Sequence, residues 1–318
     1  MRNLILGLAI CAGGGASADS TGEALSTAFR GWANEQNVDG AVAVFDTGTL
    51  VATAHAGRDP RVAYPVLSNS KAITGACIIA LVDQETLAWT DPVGDHLPDI
   101  DARKGPLSVT LAQLVTHSAG LNDDSTQDRM DGWLGESGSR HLSVTEDALN
   151  VRIRPWHRDY VRYTNENFAV LGAAIDHVTG DAEAACRDLV LTPAGASGGR
   201  DDVFGPFLAW GGWSLSAVDY GKFAWAAFGN ENFQGLPLAE IGQNAFYGPG
   251  VLLRNFGDTH SVWHFGQYCS AAGHDAGAYF AIWPTGIMVS ANFSGCPDDA
   301  ALAALDLTLA QIGNSAPQ

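Results

Sequence analysis

The chain has 318 residues, 46% apolar and 16% charged, enough for one elaborated globular domain or two interleaved ones and too apolar to remain disordered. Thirty-five acidic residues face 17 Lys and Arg, a formal charge of −18, so phosphates would be repelled and no nucleic-acid partner is expected. Only three lysines occur, Lys71, Lys104 and Lys222, so any lysine-dependent motif can be checked one residue at a time.

Arg2, the apolar run Leu4 to Ala12, Gly13 to Gly15 and the small-x-small site Ala16-Ser17-Ala18 follow the order of a secretory signal peptide. Residues 1–18 are read as that peptide, which places the mature protein in the periplasm or outside the cell. The alternative is lipoprotein processing at Cys11, but Ile10 stands where that processing wants a small residue. No later stretch reaches the ~18 consecutive apolar residues of a membrane helix, so no transmembrane span is expected. Export suits the four remaining cysteines, Cys77, Cys186, Cys269 and Cys296, either as disulfides or as buried thiols. Cys269 and Cys296 follow strands that run the same way, and are the pair expected to bridge. None of the four has C-x-x-C spacing, and neither a metal nor another cofactor is expected.

Ser20 to Glu23 has capping-box spacing, and Leu25, Phe29 and Trp32 share one helical face, so the mature chain opens on an amphipathic helix. Gly40 to Phe45 and Thr49 to Ala56, around Asp46-Thr47-Gly48, read as a β-hairpin. Lys71 to Val82 is apolar on every side, the pattern of a buried helix. Residues 85–230 are mostly helical, with helices at Leu111 to Val115, Phe168 to Val178 and Ala217 to Phe228. Asn122 to Arg140 reads as loop. Its acids Asp123, Asp124, Asp128 and Asp131 lack the glycine and final Glu of a calcium loop and are taken as solvated. Strands return at Ser261 to Tyr268, Gly277 to Trp283 and Gly286 to Asn292, before a helix capped by Asp298 or Asp299. Strands at both ends with helices between predict an α+β fold, an antiparallel sheet flanked by helices. The sheet domain is drawn over 19–83 and 250–318, with an inserted all-helical domain over 84–249.

Three short motifs carry chemistry. Ser68-Asn69-Ser70-Lys71 opens the buried helix, and three-residue spacing puts Ser68 and Lys71 on one face, so the amine reaches the hydroxyl. A lysine enclosed by Ile, Ala and Cys has its pKa pushed down towards a proton acceptor at neutral pH. Tyr163-Thr164-Asn165 precedes the Phe168 helix; a phenol near a lysine can act as a base, and Asn165 offers an amide to Lys71 and to a substrate carbonyl. His264-Phe265-Gly266 lies on a strand, where glycine admits close approach and the imidazole can donate to a substrate oxygen. Gly195-Ala196-Ser197-Gly198-Gly199 matches a G-x-S-x-G pattern without the strand-turn-helix that motif requires, and is read as loop. Trp213 and Trp263 are the tryptophans expected nearest the site, and His117 is taken as a packed residue.

Together the three motifs resemble the serine β-lactamase and penicillin-binding-protein superfamily, in particular its class C-like branch of β-lactamases, DD-carboxypeptidases, D-aminopeptidases and esterases. Leu114-Val115-Thr116-His117-Ser118-Ala119-Gly120-Leu121 and Gly211-Gly212-Trp213-Ser214 add to the likeness, which spans roughly residues 23–310. The resemblance implies an exported serine hydrolase working through an acyl-enzyme, with Ser68 as nucleophile and Lys71 and Tyr163 managing its proton. It implies that Asn165, His264 and Gly266 bind substrate and that the backbone N–H groups of Ser68 and Gln267 form an oxyanion hole. The substrate is a small molecule or peptide: an ester, a D-peptide or a β-lactam. His264 departs from the lysine usual in β-lactamases of this branch, which favours esters and neutral amides if the imidazole is neutral. The alternative reading is a non-catalytic binder or regulator that retains the fold. The stretches 122–160 and 229–258, expected to shape the pocket, carry no readable motif, and the oligomeric state is left open.

Overall fold

In the computed structural model the hairpin strands β1 (Gly40–Asp46) and β2 (Thr49–Ala56) pair with the C-terminal strands, because β1 lies against β11 (Ile287–Ser294) in antiparallel register from Gly40–Phe293 to Asp46–Ile287. The structure describes residues 15–97, 100, 107–121, 124–150, 160–230, 233–256 and 259–316. The apolar run at Leu4 to Ala12 and Cys11 lie outside them. Alternate β1 residues point to opposite faces. Ala41, Ala43 and Phe45 enter the larger core, while Val42 and Val44 enter a second core with Leu25, Phe29, Trp32, Leu305 and Leu309. Those last five come from α1 (Gly15–Gln36) and α9 (Asp299–Asn314), which cover the outer face. Asp298 caps α9 through Ala301 N at 2.8 Å. Helix α1 begins upstream of Ser20, so Ser20 to Glu23 lie within the helix rather than marking its start.

The remaining strands are β3 (Tyr64–Pro65), β4 (Gly198–Arg200) and β5 (Trp213–Leu215), a small separate sheet, and β6 (Ala239–Gly242), β7 (Ala245–Tyr247), β8 (Leu252–Phe256), β9 (Thr259–Tyr268) and β10 (Ala276–Ile282). The large sheet has the order β2-β1-β11-β10-β9-β8-β7-β6, with antiparallel pairing throughout. The α+β architecture is therefore as expected. The stretch 84–249 is not all helical, however, because β6 and β7 extend the large sheet within it. Three- and four-residue strands show no period-2 pattern long enough to read.

On the inner face lie α2 (Ser70–Asp83), α3 (Leu111–Val115), α4 (His141–Leu149), α5 (Asn165–Thr179), α6 (Ala182–Cys186), α7 (Leu208–Gly211) and α8 (Ala217–Phe228). Helix α8 packs on β1 and β11, with Tyr220 5.4 Å from Phe280 on β10. Helix α2 packs against α5, α6 and α7, and ten of its residues are buried, which accounts for its apolar circumference. Among the described residues there are two disulfides. Cys77–Cys186 ties α2 to the end of α6, and Cys269–Cys296 joins segments just past β9 and β11, with Cα atoms 5.2 and 5.5 Å apart respectively. The second is the pair expected from sequence. The chain bends in beyond the strand ends, so the two lateral strand spacings of the sheet do not keep the sulfurs apart.

Candidate active site

Ser68 sits in a single 3₁₀ turn, Leu67–Asn69, immediately before α2. Leu67 is held at φ 45°, a left-handed conformation uncommon for a bulky residue. The turn is fixed by Val66 N donating to the Trp213 carbonyl (2.9 Å) and by Tyr220 Oη donating to the Asn69 carbonyl (3.0 Å). One residue into α2, Lys71 is completely buried. Its Nζ lies 2.8 Å from Asn165 Oδ1, 3.0 Å from the Trp210 carbonyl and 3.1 Å from Ser68 Oγ. Burial lowers its pKa from 10.5 to about 7, opposed by the carboxylate of Asp124.

Tyr163 completes the group around Ser68. Its phenol lies next to Ser68, whose hydroxyl lowers its pKa, and Lys71 Nζ stands 4.7 Å from the ring centroid. Enclosure pushes its pKa above the usual 10.0, the Ser68 hydroxyl opposes this, and the Asp124 charge adds to the rise. Yet 45% of the residue faces the open cleft, so solvent screens the phenol in a way that it cannot screen Lys71. Lys71 is the more firmly perturbed group of the two.

Asn165, the first residue of α5, is buried. Its Oδ1 accepts from Lys71, while Nδ2 donates to Thr126 Oγ1 (3.0 Å) and lies 3.6 Å from Met130 Sδ. Oδ1 is thus taken up by the lysine, while Nδ2 has one strong acceptor in Thr126 and one weak one in the Met130 thioether, at the wall of the cavity. Asp124 Oδ2 accepts from Asn165 N at 3.0 Å, a carboxylate at a helix N-terminus. Of the loop acids, Asp124 is thus partly enclosed, whereas Asp131 is exposed as expected, although it accepts from Tyr268 Oη (2.8 Å), Ser270 Oγ (2.9 Å) and Ala271 N (3.2 Å) across the cleft mouth.

His264 is 2% exposed on β9. Its Nδ1–H donates to the Phe265 carbonyl (2.7 Å), which leaves Nε2 to accept from Tyr247 Oη (3.1 Å). Burial, with the charge of Lys71, lowers its pKa from 6.5 to about 3. The expected donation from this imidazole to a substrate oxygen has no N–H left to make it. His117, at φ 56°, packs 4.5 Å from both the Tyr163 and Tyr247 rings, its Nδ1 accepting from Asn167 Nδ2 at 3.0 Å. It is packed, as read from the sequence, but directly behind Tyr163.

Gly266 is required by close approach. A Cβ there would stand 2.5 Å from Ser68 N and 2.9 Å from the Val66 carbonyl. This brings β9 against the Ser68 turn. The Gln267 side chain turns away to donate to the Pro297 carbonyl (2.7 Å), so only its backbone is available to the site. A cavity of about 400 Å³ opens here, walled by Leu67, Met130, Val161, Trp210, Ile241 and Phe265 along with the polar residues already described. Trp210 lines it, not Trp213 or Trp263; Trp213 is buried in the small sheet, as the first residue of β5, and Trp263 packs towards α9 on the outer face.

The Beta-lactamase family model matches residues 26–311, nearly the whole described chain. The chain belongs to the Beta-lactamase family. Among curated proteins it is similar to Protein flp of Staphylococcus aureus, 26% identical over 122 residues, which is 38% of this chain and only 24% of that protein. Among solved structures it is similar to the octameric penicillin-binding protein homologue from Pyrococcus abyssi (TM-score 0.71, 19% identity, 91% of this chain and 77% of that one). It is also similar to the D-amino acid amidase from Ochrobactrum anthropi SV3 complexed with D-phenylalanine (TM-score 0.70, 19% identity, 92% and 99%). A D-stereospecific amidohydrolase from Streptomyces sp. gives 0.69, 20% identity, 92% and 98%. At these identities the likeness is one of fold.

Two residues beside the site, Thr126 and Tyr247, escaped the sequence reading, and Asp124 was read only as a solvated loop acid. The only signal for Asp124 and Thr126 is an acidic, hydroxyl-rich stretch ahead of a helix N-terminus, and for Tyr247 there is none.

Proposed function

We propose that this protein is an exported serine hydrolase that forms an acyl-enzyme on Ser68 with Lys71 as the base. The observation that carries this is the hydrogen-bond count at Lys71. A neutral amine has two N–H bonds and one lone pair. Asn165 Oδ1 and the Trp210 carbonyl can only accept, so they take both N–H bonds. The lone pair is then left facing Ser68 Oγ at 3.1 Å, positioned to receive the hydroxyl proton. With a pKa near 7, an appreciable fraction of the amine is neutral at physiological pH. Tyr163 keeps its proton and, next to Ser68, serves as the acid that passes a proton to the leaving group. Lys71 then hands the proton it took from Ser68 to the Tyr163 phenolate, so that water attacks the acyl ester with Lys71 again as base and Tyr163 returns a proton to Ser68 Oγ as the acid is released. The Ser68 and Gln267 backbone N–H groups, brought together by Gly266, supply the oxyanion hole, while Asn165 positions Lys71. Export is supported by the N-terminal sequence and by two disulfides, which persist in oxidising compartments.

The test is labelling of the purified protein by a fluorescent fluorophosphonate. Wild type should label, and Ser68→Ala should not. Lys71→Met should label at least a hundredfold more slowly. A folded wild type that resists the probe, or a Ser68→Ala protein that labels equally, refutes the assignment.

A further inference from the structure

The cavity wall above Ser68 has a composition that narrows the substrate. Among the described residues that line it there is no Lys, Arg, Asp or Glu. The one lining residue that commonly ionises near neutral pH is His264. Its surroundings hold it neutral: the Phe265 carbonyl fixes the proton on Nδ1, and the buried Tyr247 hydroxyl must donate to Nε2, so protonating Nε2 would break that bond and set two donors against each other. Tyr247 is itself locked, edge-on to His117 at 4.5 Å and 5.9 Å from Tyr163. The groups facing His264 are Tyr247 from β7, Lys71 from α2, His117 from the segment after α3 and Tyr163 from the segment before α5. No carboxylate is among them.

Resting on the serine-hydrolase reading, we infer that the substrates are esters or amides uncharged on both sides of the scissile carbonyl, and that Tyr247 is a specificity-determining residue that keeps His264 an uncharged wall. A carboxylate or ammonium group in this cavity would lose water and find no opposite charge among the described lining residues, which costs far more than a misplaced methylene. The apolar walls Leu67, Met130, Val161, Trp210, Ile241 and Phe265 reward an aliphatic or aromatic acyl group instead.

Three p-nitrophenyl esters of similar size test this on the full-length protein: butyrate (neutral), hemisuccinate (anionic) and 4-aminobutyrate (cationic). Wild type should favour butyrate over each charged ester by at least tenfold in kcat/KM. The butyrate-to-hemisuccinate ratio should stay flat from about pH 5.5 to 8, because titration of the catalytic lysine affects both substrates equally and cancels. In Tyr247→Phe the freed Nε2 can take a proton, so the ratio should fall severalfold and become pH-dependent, rising with pH. A lost packing contact alone would lower both rates and leave the ratio flat. Equal or faster turnover of a charged ester, turnover of none of the three by a protein that labels at Ser68, or an unchanged flat ratio in Tyr247→Phe overturns the inference while sparing the acyl-enzyme reading. Failure of Ser68 to label overturns that reading, and this inference with it.

Discussion

If Lys71 is neutralised by folding, one titration must appear in two unrelated measurements. The fall of its pKa from 10.5 to about 7 corresponds to roughly 5 kcal/mol at ~1.36 kcal/mol per pH unit. The sign follows from proton counting. Between about pH 7 and 10.5 the unfolded chain holds a proton on this lysine that the folded chain has released, so stability rises with pH across that window. Below about pH 7 both states are protonated and the full cost of burying the cation is present, with no further slope. Lys71→Met, similar in length and apolar, removes the titration. The difference in unfolding free energy between wild type and Lys71→Met, measured by urea denaturation from pH 7.5 to 9.5, should move in favour of wild type by about 1.4 kcal/mol per pH unit. The raised pKa values of Tyr220, Tyr247 and Tyr279 affect both proteins and cancel in the difference. The rate of Ser68 acylation by a neutral ester should show the same group from the other side, falling about tenfold per pH unit below 7 and levelling above about 8. Parallel stability curves together with an acylation rate flat from pH 5.5 to 8 would show that the lysine keeps an ordinary pKa, and the base would have to be sought at Tyr163.

Tyr163→Phe should lower kcat by roughly 10³-fold, and combining it with Ser68→Ala should add little to the loss in Ser68→Ala alone, as steady-state kinetics would show for residues acting as a unit. Gly266→Ala should cost roughly a hundredfold in kcat with little change in KM, because the methyl meets Ser68 N at 2.5 Å and displaces the oxyanion strand. Asp124→Asn should raise the thermal stability cost of α5 by about 1 kcal/mol and, by removing a charge that favours the protonated lysine, shift the acylation midpoint to lower pH. Cys269→Ser with Cys296→Ser should lower unfolding stability by about 3 kcal/mol in denaturant, given a loop spanning 27 positions.

The parts of this molecule visible in the sequence are those whose physics is local. The apolar circumference of α2 announced its burial, the three-residue interval from Ser68 to Lys71 announced their contact, and the runs at β9, β10 and β11 are long enough to show as strands. What stayed hidden depends on which distant group meets which. Asn165 has the same amide wherever it lies, and only the fold decides that its Nδ2 meets Thr126 Oγ1 and Met130 Sδ. His264 reads as a donor until Tyr247 and the Phe265 carbonyl occupy both its nitrogens. Tyr247 itself ends a three-residue strand, too short for any periodicity to disclose. Trp213 and Trp263 were expected at the cleft because tryptophans near motifs are plausible walls, but residue type does not encode which face of a sheet or turn it occupies.

A base made by desolvation works against the stability of the fold that makes it, and the surrounding structure shows how this conflict is contained. The helix bearing Lys71 has no alternative position. Cys77, two turns along, is tied to Cys186, and a Cβ on Gly75 would collide with the Pro249 carbonyl, so α2 and the turn before β8 are packed backbone to backbone. On the opposite wall, Cys269 and the Gln267–Pro297 hydrogen bond pin the end of β9 one to three residues beyond Gly266. Both constraints act on the backbone and add no charge near the lysine. Had the same rigidity been supplied by ion pairs, a carboxylate close to Lys71 would have restored its proton and abolished the lone pair facing Ser68. Asp124, which touches Asn165 rather than Lys71, is the limiting case: near enough to raise the lysine pKa somewhat, and held one residue away from taking its place as a partner. Covalent and steric fastening of an apolar shell is thus the arrangement compatible with a neutral amine at this site.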